Sequence, residues 1–227
     1  MNTNISYFVG ALHSDGTFHL YKDKRRKRDV YRIRFQIGEK SLPMLRYLQQ
    51  IFAVEFGRTL KINFDGTNKY GTRVYTLGTS VNALLPKLSA LGISKGHTPQ
   101  AIKINKKLFC AYLAGLIDGD GNVCIKRPTY PQCEVRIISG KPDWELKRLI
   151  IKHLGCSVRL EKFFVNSIIE ARQVSGKGCR HCFYLSSKNL STFSELVYPY
   201  IQIRHKRKLL QKFFKIKAMP RQWNKRR

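Results

Sequence analysis

The sequence predicts an α+β protein made of two pseudo-symmetric lobes, each with the element order αββαββα and antiparallel strands. Two observations carry this prediction. A short apolar helical segment that ends in an aspartate and a glycine occurs twice, at 8–16 and at 113–121. Each copy is followed, in the same order, by a strand pair, an amphipathic helix and a further strand pattern. A chain of 227 residues is long enough to form two lobes of roughly 100 residues each.

The two apolar segments have the composition of helices that pack closely. In the second copy, small residues and an acid fall at i, i+3, i+4 and i+7 on one helical face: Ala111, Ala114, Gly115 and Asp118. Small side chains let the backbone of another helix approach, and Gly115 and Gly119 have the four-residue spacing typical of such contacts. Gly10 and Ser14 have the same spacing in the first copy. We therefore predict that the two motif helices pack side by side at the interface between the lobes.

Parallel packing would bring Asp15 and Asp120 together where the two helices end. Each carboxylate would lie at the negative end of a helix dipole, and like charges raise one another's pKa. A divalent cation reverses this repulsion, and a site with hard oxygen ligands and few protein contacts suits Mg²⁺. The sequence therefore predicts a Mg²⁺ site at Asp15 and Asp120, with Mn²⁺ as a substitute, and we include the preceding residues, Ser14 and Gly119, in this site.

At 113–121 the chain resembles the signature of the LAGLIDADG homing endonucleases nearly letter for letter, with Gly119 at the variable position. The segment 8–16 resembles a degenerate copy. Two copies in one chain are similar to the monomeric, pseudo-symmetric members of that family. The resemblance implies antiparallel sheets that form a DNA-binding saddle, and metal binding by the acid at the eighth motif position, which is Asp15 or Asp120 here.

The first copy departs from the family pattern at its sixth position, where His13 stands in place of the usual acid. This departure weakens any catalytic role for Asp118, which is the sixth residue of the second copy. We predict that Asp118 is a hydrogen-bonding residue at the end of its helix.

The resemblance also implies polar and basic residues around the metals that order water and stabilise charge. By their position after a strand, the residues that match are Glu39 and Lys40 in the first lobe, and Gly140 and Lys141 in the second. Gly140 offers no side chain, so the predicted set is asymmetric. Two weaker candidates, for this role or for phosphate contact, begin the segments that follow the last strand and helix of each lobe: Lys95 and Arg204.

The net charge of the chain points to a polyanionic partner. Lys and Arg number 43 against 14 Asp and Glu, which gives a formal charge of +29. Nucleic acid is the first candidate, because the cations recur along the whole chain and no apolar run approaches the ~20 residues of a membrane span. Ribosomal and other structural RNA-binding proteins share this charge, so charge alone does not indicate an enzyme.

The N-terminus lacks the features of a secretory signal, and we predict an intracellular protein that acts where the host genome resides. The six cysteines are expected to be reduced thiols. Cys179 and Cys182 have the spacing of a zinc-ligand pair, but no second pair follows, so a structural zinc is the disfavoured alternative.

The strand at 30–38 is the clearest candidate for a DNA-reading surface. Apolar side chains alternate with Arg32, Arg34 and Gln36, which is the pattern of a half-buried antiparallel strand. Guanidinium and amide groups read guanine and adenine edges in a major groove, although an ordinary solvated face is the alternative. Further candidates for DNA binding lie in the other predicted strands: Lys61, Asn63, Lys126, Arg136 and Arg159.

The remaining pattern places helices at 42–54, 142–154 and 204–217, with Ser80 as the cap of a further helix. Strands are predicted at 57–64, 72–78, 123–126, 132–139, 157–165 and near 184–187, with a hairpin turn beginning at Asp65. The corresponding domains are a first lobe at 1–95, a connector at 96–106, a second lobe at 107–218 and a basic tail at 219–227.

These observations favour a monomeric endonuclease that uses a divalent metal to cut both strands of a long DNA target. The resemblance adds cleavage across the minor groove that leaves 3′ overhangs. The alternative is a non-cleaving binder of the same fold, either an RNA splicing maturase that binds intron RNA or a DNA-binding regulator. Two acids facing a polyanion favour the enzyme, because a protein that only binds nucleic acid has no use for them.

Overall fold

The protein was analysed as a computed structural model, which describes residues 1–23, 28–94, 97–127, 131–169 and 172–218. The predicted basic tail at 219–227 and the candidate Lys95 lie outside these residues.

The first lobe begins with helix α1 and contains one sheet. Its elements are α1 (Thr3–Ser14), β1 (Gly16–Asp23), β2 (Arg28–Gly38), α2 (Leu42–Phe56), β3 (Asn63–Thr67), β4 (Arg73–Ser80) and α3 (Leu85–Ala90). The strands are antiparallel in the order β1-β2-β4-β3.

The second lobe repeats this arrangement. A short helix, α4 (Gln100–Ile104), lies within the predicted connector, and is followed by α5 (Lys106–Asp118), β5 (Gly121–Lys126), β6 (Gln132–Ser139), α6 (Trp144–Leu154), β7 (Val158–Ile169), β8 (Arg172–Leu185), α7 (Leu190–Leu196) and α8 (Arg204–Ala218). The strand order is β5-β6-β8-β7, again antiparallel. The same topology in both halves confirms the predicted α+β fold with two pseudo-symmetric lobes.

Each sheet buries one face against helices. In β2, Ile33 and Phe35 are fully buried while Arg32 and Gln36 are exposed, so the predicted alternation is confirmed. The ring of Phe8 on α1 lies 6.1 Å from that of Phe35, which couples the motif helix to the sheet. The side chains on the opposite face of the sheet are thereby directed away from the core.

The predicted strand at 57–64 is wrong over most of its length, because β3 begins only at Asn63. The helix before it ends at Gly57, whose left-handed backbone (φ 64°) turns the chain. The Gln49 amide then donates to the Leu60 carbonyl oxygen over 2.7 Å, so a side chain provides a hydrogen bond to this segment. Lys61 consequently lies outside any strand.

The hairpin turn was also predicted too early. Asp65 and Gly66 lie within β3, where the pairing register shifts between Phe64 and Gly66. The turn lies at 68–72, where the Asn68 side chain accepts hydrogen bonds from the backbone N–H groups of Tyr70 and Thr72, both over 3.0 Å. A side chain that mimics backbone hydrogen bonding stabilises the later turn.

Two further boundaries differ from prediction. Ser80 ends β4 and caps no helix; a 3₁₀ turn at Asn82–Leu84 separates it from α3. In the second lobe, β8 runs from Arg172 to Leu185 and not over 184–187, because it pairs with β7 along the length of both strands. Sequence periodicity alone did not indicate this long ladder.

Among the described residues, none of the helices has the length and apolar character needed to cross a membrane. The six cysteines are free thiols, five of them buried.

Candidate metal and nucleic-acid site

The two motif helices pack in parallel with direct backbone contact. A Cβ atom added at Gly10 would lie 2.0 Å from the Tyr112 carbonyl oxygen, and one at Gly115 would lie 2.3 Å from that of Tyr7. Near the helix ends, a Cβ at Gly119 would lie 2.0 Å from Ser14 Oγ. These contacts advance in the same direction along both helices, which confirms the predicted parallel packing.

The two motif aspartates follow the ends of these helices. The backbone N–H of Asp15 donates to the Ala11 carbonyl oxygen over 3.1 Å and closes α1, while Asp120 follows the end of α5 by two residues. Burial raises the pKa of Asp15 to about 6, and the negative charge of Asp120 contributes to the rise. Burial also raises the pKa of Asp120. The structure therefore brings the two carboxylates together in a setting that disfavours their charge.

This donor set fits a divalent cation. Partly buried carboxylates with raised pKa values gain from a bound cation, and their hard oxygens suit Mg²⁺ or Mn²⁺. Ser14 and Gly119 lie beside the acids, with the Ser14 hydroxyl donating to the Gly10 carbonyl oxygen over 3.1 Å. In the described part of the chain, no group of three or more His, Cys, Asp or Glu side chains is placed to hold a metal ion.

Asp118 is a buried hydrogen-bonding residue, as predicted. Its side chain is 1% exposed and accepts hydrogen bonds from the Tyr7 hydroxyl over 2.7 Å and from the backbone N–H groups of Gln202 (2.7 Å) and Ile203 (3.2 Å). Burial outweighs these bonds and raises its pKa to about 6. Asp118 thus joins α1, α5 and the segment that leads into α8.

Lys206 lies beneath the acids, and sequence analysis did not single it out. It is 6% exposed, and its Nζ donates to the carbonyl oxygens of Ile117 over 2.6 Å and Asp118 over 2.8 Å, with that of Gly119 at 3.4 Å. These carbonyls belong to the end of α5, where intrahelical donors are missing. The ammonium group therefore stabilises the end of the helix and opposes its dipole.

The positive charge of Lys206 also acts on the acids. It lowers the pKa of Asp15 and of Asp120, against the larger effect of burial. A signal for this residue was present in the sequence: Lys206 shares one helical face with Leu210 and Phe213, which are buried. A lysine at an apolar position of an amphipathic helix indicates a buried cation that needs partners.

A groove of about 680 Å³ lies between the start of α2 in the first lobe and the start of α8 in the second. It brings together three residues predicted to support catalysis, Glu39, Lys40 and Arg204, and is also lined by Arg46, His205 and Lys208. Burial and the positive charges of Lys206 and Lys40 lower the pKa of His205. The groove therefore has a strongly cationic lining.

The second-lobe counterparts lie elsewhere. Lys141 is exposed and does not line the groove. Its carbonyl oxygen accepts a hydrogen bond from the Ser139 hydroxyl over 2.6 Å. Gly140 is exposed, with open space where a side chain would be. The groove therefore has no matching set at this position.

The predicted DNA-binding residues of the first sheet lie around Asp65. Arg34 Nη2 and Gln36 Nε2 both donate to Asp65 Oδ2, over 2.8 and 2.6 Å. Arg32 is exposed on β2, and Asn63 is exposed on β3.

The predicted DNA-binding residues of the second sheet converge on Glu134. Lys126 Nζ lies 2.7 Å and Arg136 Nε lies 2.6 Å from its Oε2, and Arg159 Nη2 lies 3.7 Å from its Oε1. Sequence analysis did not identify this acid, nor Asp65 as a partner of Arg34.

No protein-family model and no curated protein matches this chain. Solved structures do. The homing endonuclease I-DmoI in complex with DNA and Ca is 15% identical, with a TM-score of 0.58 over 92% of this chain and 98% of that one. The I-SmaMI LAGLIDADG homing endonuclease bound to cleaved DNA is 16% identical, with a TM-score of 0.54 over 95% of this chain and 88% of that one.

A third solved structure, the I-LtrWI LAGLIDADG homing endonuclease bound to target DNA, is 14% identical, with a TM-score of 0.51 over 94% of this chain and 89% of that one. At these identities the similarity establishes the fold. The chain therefore has the two-lobed fold of the LAGLIDADG homing endonucleases, the family that its duplicated motif resembles.

Proposed function

We propose that the protein is a monomeric, divalent-metal-dependent endonuclease that cuts both strands of a long DNA target. The observation that carries this proposal is the meeting of Asp15 and Asp120, one from each lobe, at the ends of parallel helices. Burial of these carboxylates disfavours their charge unless a cation is bound. Support also comes from I-DmoI, which has been solved with its target DNA in the presence of Mg and with DNA and Mn.

Asp15 and Asp120 would hold the metal, with Ser14 and Gly119 beside them. When bound there, the divalent cation supplies positive charge that stabilises the in-line transition state and lowers the pKa of a bound water. Lys206 keeps the end of α5 in place through its bonds to the Ile117 and Asp118 carbonyl oxygens. This contact fixes the backbone from which Asp120 projects.

The cationic groove provides the supporting residues of the proposed site. Lys40 and Arg204 are placed to contact phosphate beside the cleavage point, and Glu39 to order water. Lys141 would act alone on the other side, next to Gly140. The proposed site is therefore asymmetric, as the sequence predicts.

The two sheets would follow the major groove on either side of the cleavage point. Arg32, Arg34 and Gln36 lie on the face of the first sheet that points away from the core. With a formal charge of +29, the protein attracts the phosphate backbone over a long target. Cleavage across the minor groove with 3′ overhangs completes the proposal.

A randomised pool of double-stranded DNA targets tests this function. The full chain is incubated with the pool and Mg²⁺ or EDTA, and the ends produced are sequenced, with Asp120→Asn as the inactive control. We expect Mg²⁺-dependent double-strand breaks in related sequences with 3′ overhangs. Binding without any cutting would contradict the nuclease, and retention of intron RNA alone would favour the maturase alternative.

A further inference from the structure

Glu134 lies at an unexpected place for an acid. On β6 its neighbours Cys133 and Val135 are in the core, so Glu134 belongs to the opposite face of the sheet, together with Arg136. This is the face proposed to meet DNA. Its side chain is nevertheless 0% exposed. A buried carboxylate is tolerated only where charges and hydrogen bonds compensate it.

The compensation comes from neighbouring strands. Glu134 Oε2 accepts from Lys126 Nζ on β5 and from Arg136 Nε on β6, at 2.7 and 2.6 Å, while Arg159 of β7 approaches Oε1 at 3.7 Å. Burial by itself raises the pKa of Glu134, but hydrogen bonds from Lys126, Tyr184 and Arg136 outweigh burial and lower the pKa to about 2. The group is therefore ionised at neutral pH and acts as a fixed anionic centre.

The atom that Arg136 uses is informative. Because Nε donates to Glu134, the terminal Nη1 and Nη2 atoms stay available, and within the described residues no acceptor is recorded for them. This pair of nitrogens can donate together to O6 and N7 of guanine in a major groove. Arg34 in the first sheet differs, because it already donates through Nη2 to Asp65.

We propose that Glu134 is a positioning residue that fixes Arg136 as a guanine-reading side chain of the second lobe. This inference rests on the proposed DNA endonuclease function. Glu134 restricts the rotamers of Arg136 before DNA binds, so less conformational entropy is lost on binding. Its charge also partly neutralises Lys126 and Arg159, which weakens contacts to phosphate that carry no sequence information.

The matched pair Glu134→Gln and Glu161→Gln tests the proposal in the full chain. Both variants remove one negative charge and both lose a contact to Arg159, since Glu161 Oε1 lies 2.6 Å from Arg159 Nη2. Only Glu134 contacts Arg136. Sequence preference is measured by cutting a randomised DNA pool, and then on targets with single base substitutions, at constant salt concentration.

We expect Arg136→Ala to remove a preference for guanine at one position of the target. Glu134→Gln should reduce that preference about tenfold, within the range given by one bidentate contact. Glu161→Gln should leave it unchanged, while both Gln variants steepen the salt dependence of binding to a similar extent. Glu134→Asp keeps the charge and should retain part of the preference if Glu134→Gln fails to fold.

Three results would overturn the proposal: no guanine position affected by Arg136→Ala, equal effects of the two Gln variants, or full guanine preference in a folded Glu134→Gln protein. Wild-type protein that cuts DNA with normal specificity while these results hold leaves the proposed function intact. Wild-type protein that neither binds nor cuts DNA would instead overturn the proposed function, and the inference with it.

Discussion

Gly115 lies against the Tyr7 carbonyl oxygen across the interface between the lobes, so closely that a Cβ atom would fall 2.3 Å from that oxygen. The obstacle is backbone on both sides, since Ala11 N would lie at 2.7 Å. The parallel packing of α1 and α5, and therefore the meeting of Asp15 and Asp120, depends on the absence of a side chain at this position.

Gly115→Ala should destabilise the protein by roughly 1–3 kcal/mol, the usual effect of overpacking, even though alanine favours a helix. Gly140→Ala is the matched control, because nothing lies within 4 Å of its added Cβ. The free energy of unfolding from urea titrations measures both. Equal stability of the two variants would contradict the close approach of the helices.

Asp15→Asn and Asp120→Asn should each abolish cleavage while DNA binding is kept or strengthened. The reason is that each variant removes a proposed metal ligand together with a negative charge near the scissile phosphates. Cleavage of a cognate target and a gel-shift titration measure the two properties separately. Unchanged cutting by either variant would refute its assignment as a metal ligand.

Metal dependence should vary with pH below about 6. Burial and Asp120 raise the pKa of Asp15 to about 6, and a carboxylate must lose its proton to bind a cation. The Mg²⁺ concentration for half-maximal cleavage should therefore rise about tenfold per pH unit below 6, if one proton is displaced, and level off above about 7. A flat dependence between pH 5 and 7 would contradict proton competition at this site.

Without metal, the same raised pKa has the opposite consequence for folding. Because the folded state binds the Asp15 proton more tightly than the unfolded state, the contribution of this group to stability falls as pH rises from about 4 to 6. Asp15→Asn should consequently be more stable than wild type at pH 7 in EDTA, and thermal unfolding measures the difference. A less stable variant would show that Asp15 has a structural role.

Lys206→Met should destabilise the protein by about 1–3 kcal/mol, because it leaves carbonyl oxygens at the end of α5 without a donor. It should also raise the pH needed for metal binding, since the positive charge of Lys206 lowers the pKa of Asp15 and Asp120. Lys212→Met, an exposed substitution on the same helix, is the control. Wild-type stability of Lys206→Met would show that its hydrogen bonds contribute little.

Binding should depend steeply on salt. If about 6–10 phosphates are neutralised, DNA affinity should fall by roughly 10³–10⁵ between 50 and 200 mM salt. Arg32→Ala should reduce discrimination between bases if Arg32 reads a base edge, by about 1–3 kcal/mol for a bidentate contact. Equal weakening on every DNA sequence would indicate that Arg32 contacts phosphate only.

Local patterns in the sequence were sufficient for much of the fold. The alternation in β2 and the small-residue stripe on α5 each depend on neighbours within a few positions, so they predicted burial and helix contact correctly. The strand at 57–64 failed for the same reason. Its residues alternate as in a strand, but Gly57 turns the chain and the Gln49 side chain bonds to the backbone at Leu60.

By itself, the sequence determined the duplicated lobes, the parallel motif helices and the aspartates at their ends, because helical and strand periods are local properties of the chain. Only the tertiary structure decided that Lys206 bonds the Asp118 carbonyl oxygen, 88 positions away, and that Glu134 gathers cations from neighbouring strands. Such contacts depend on how separate elements pack, and packing is decided by the three-dimensional arrangement of the whole core.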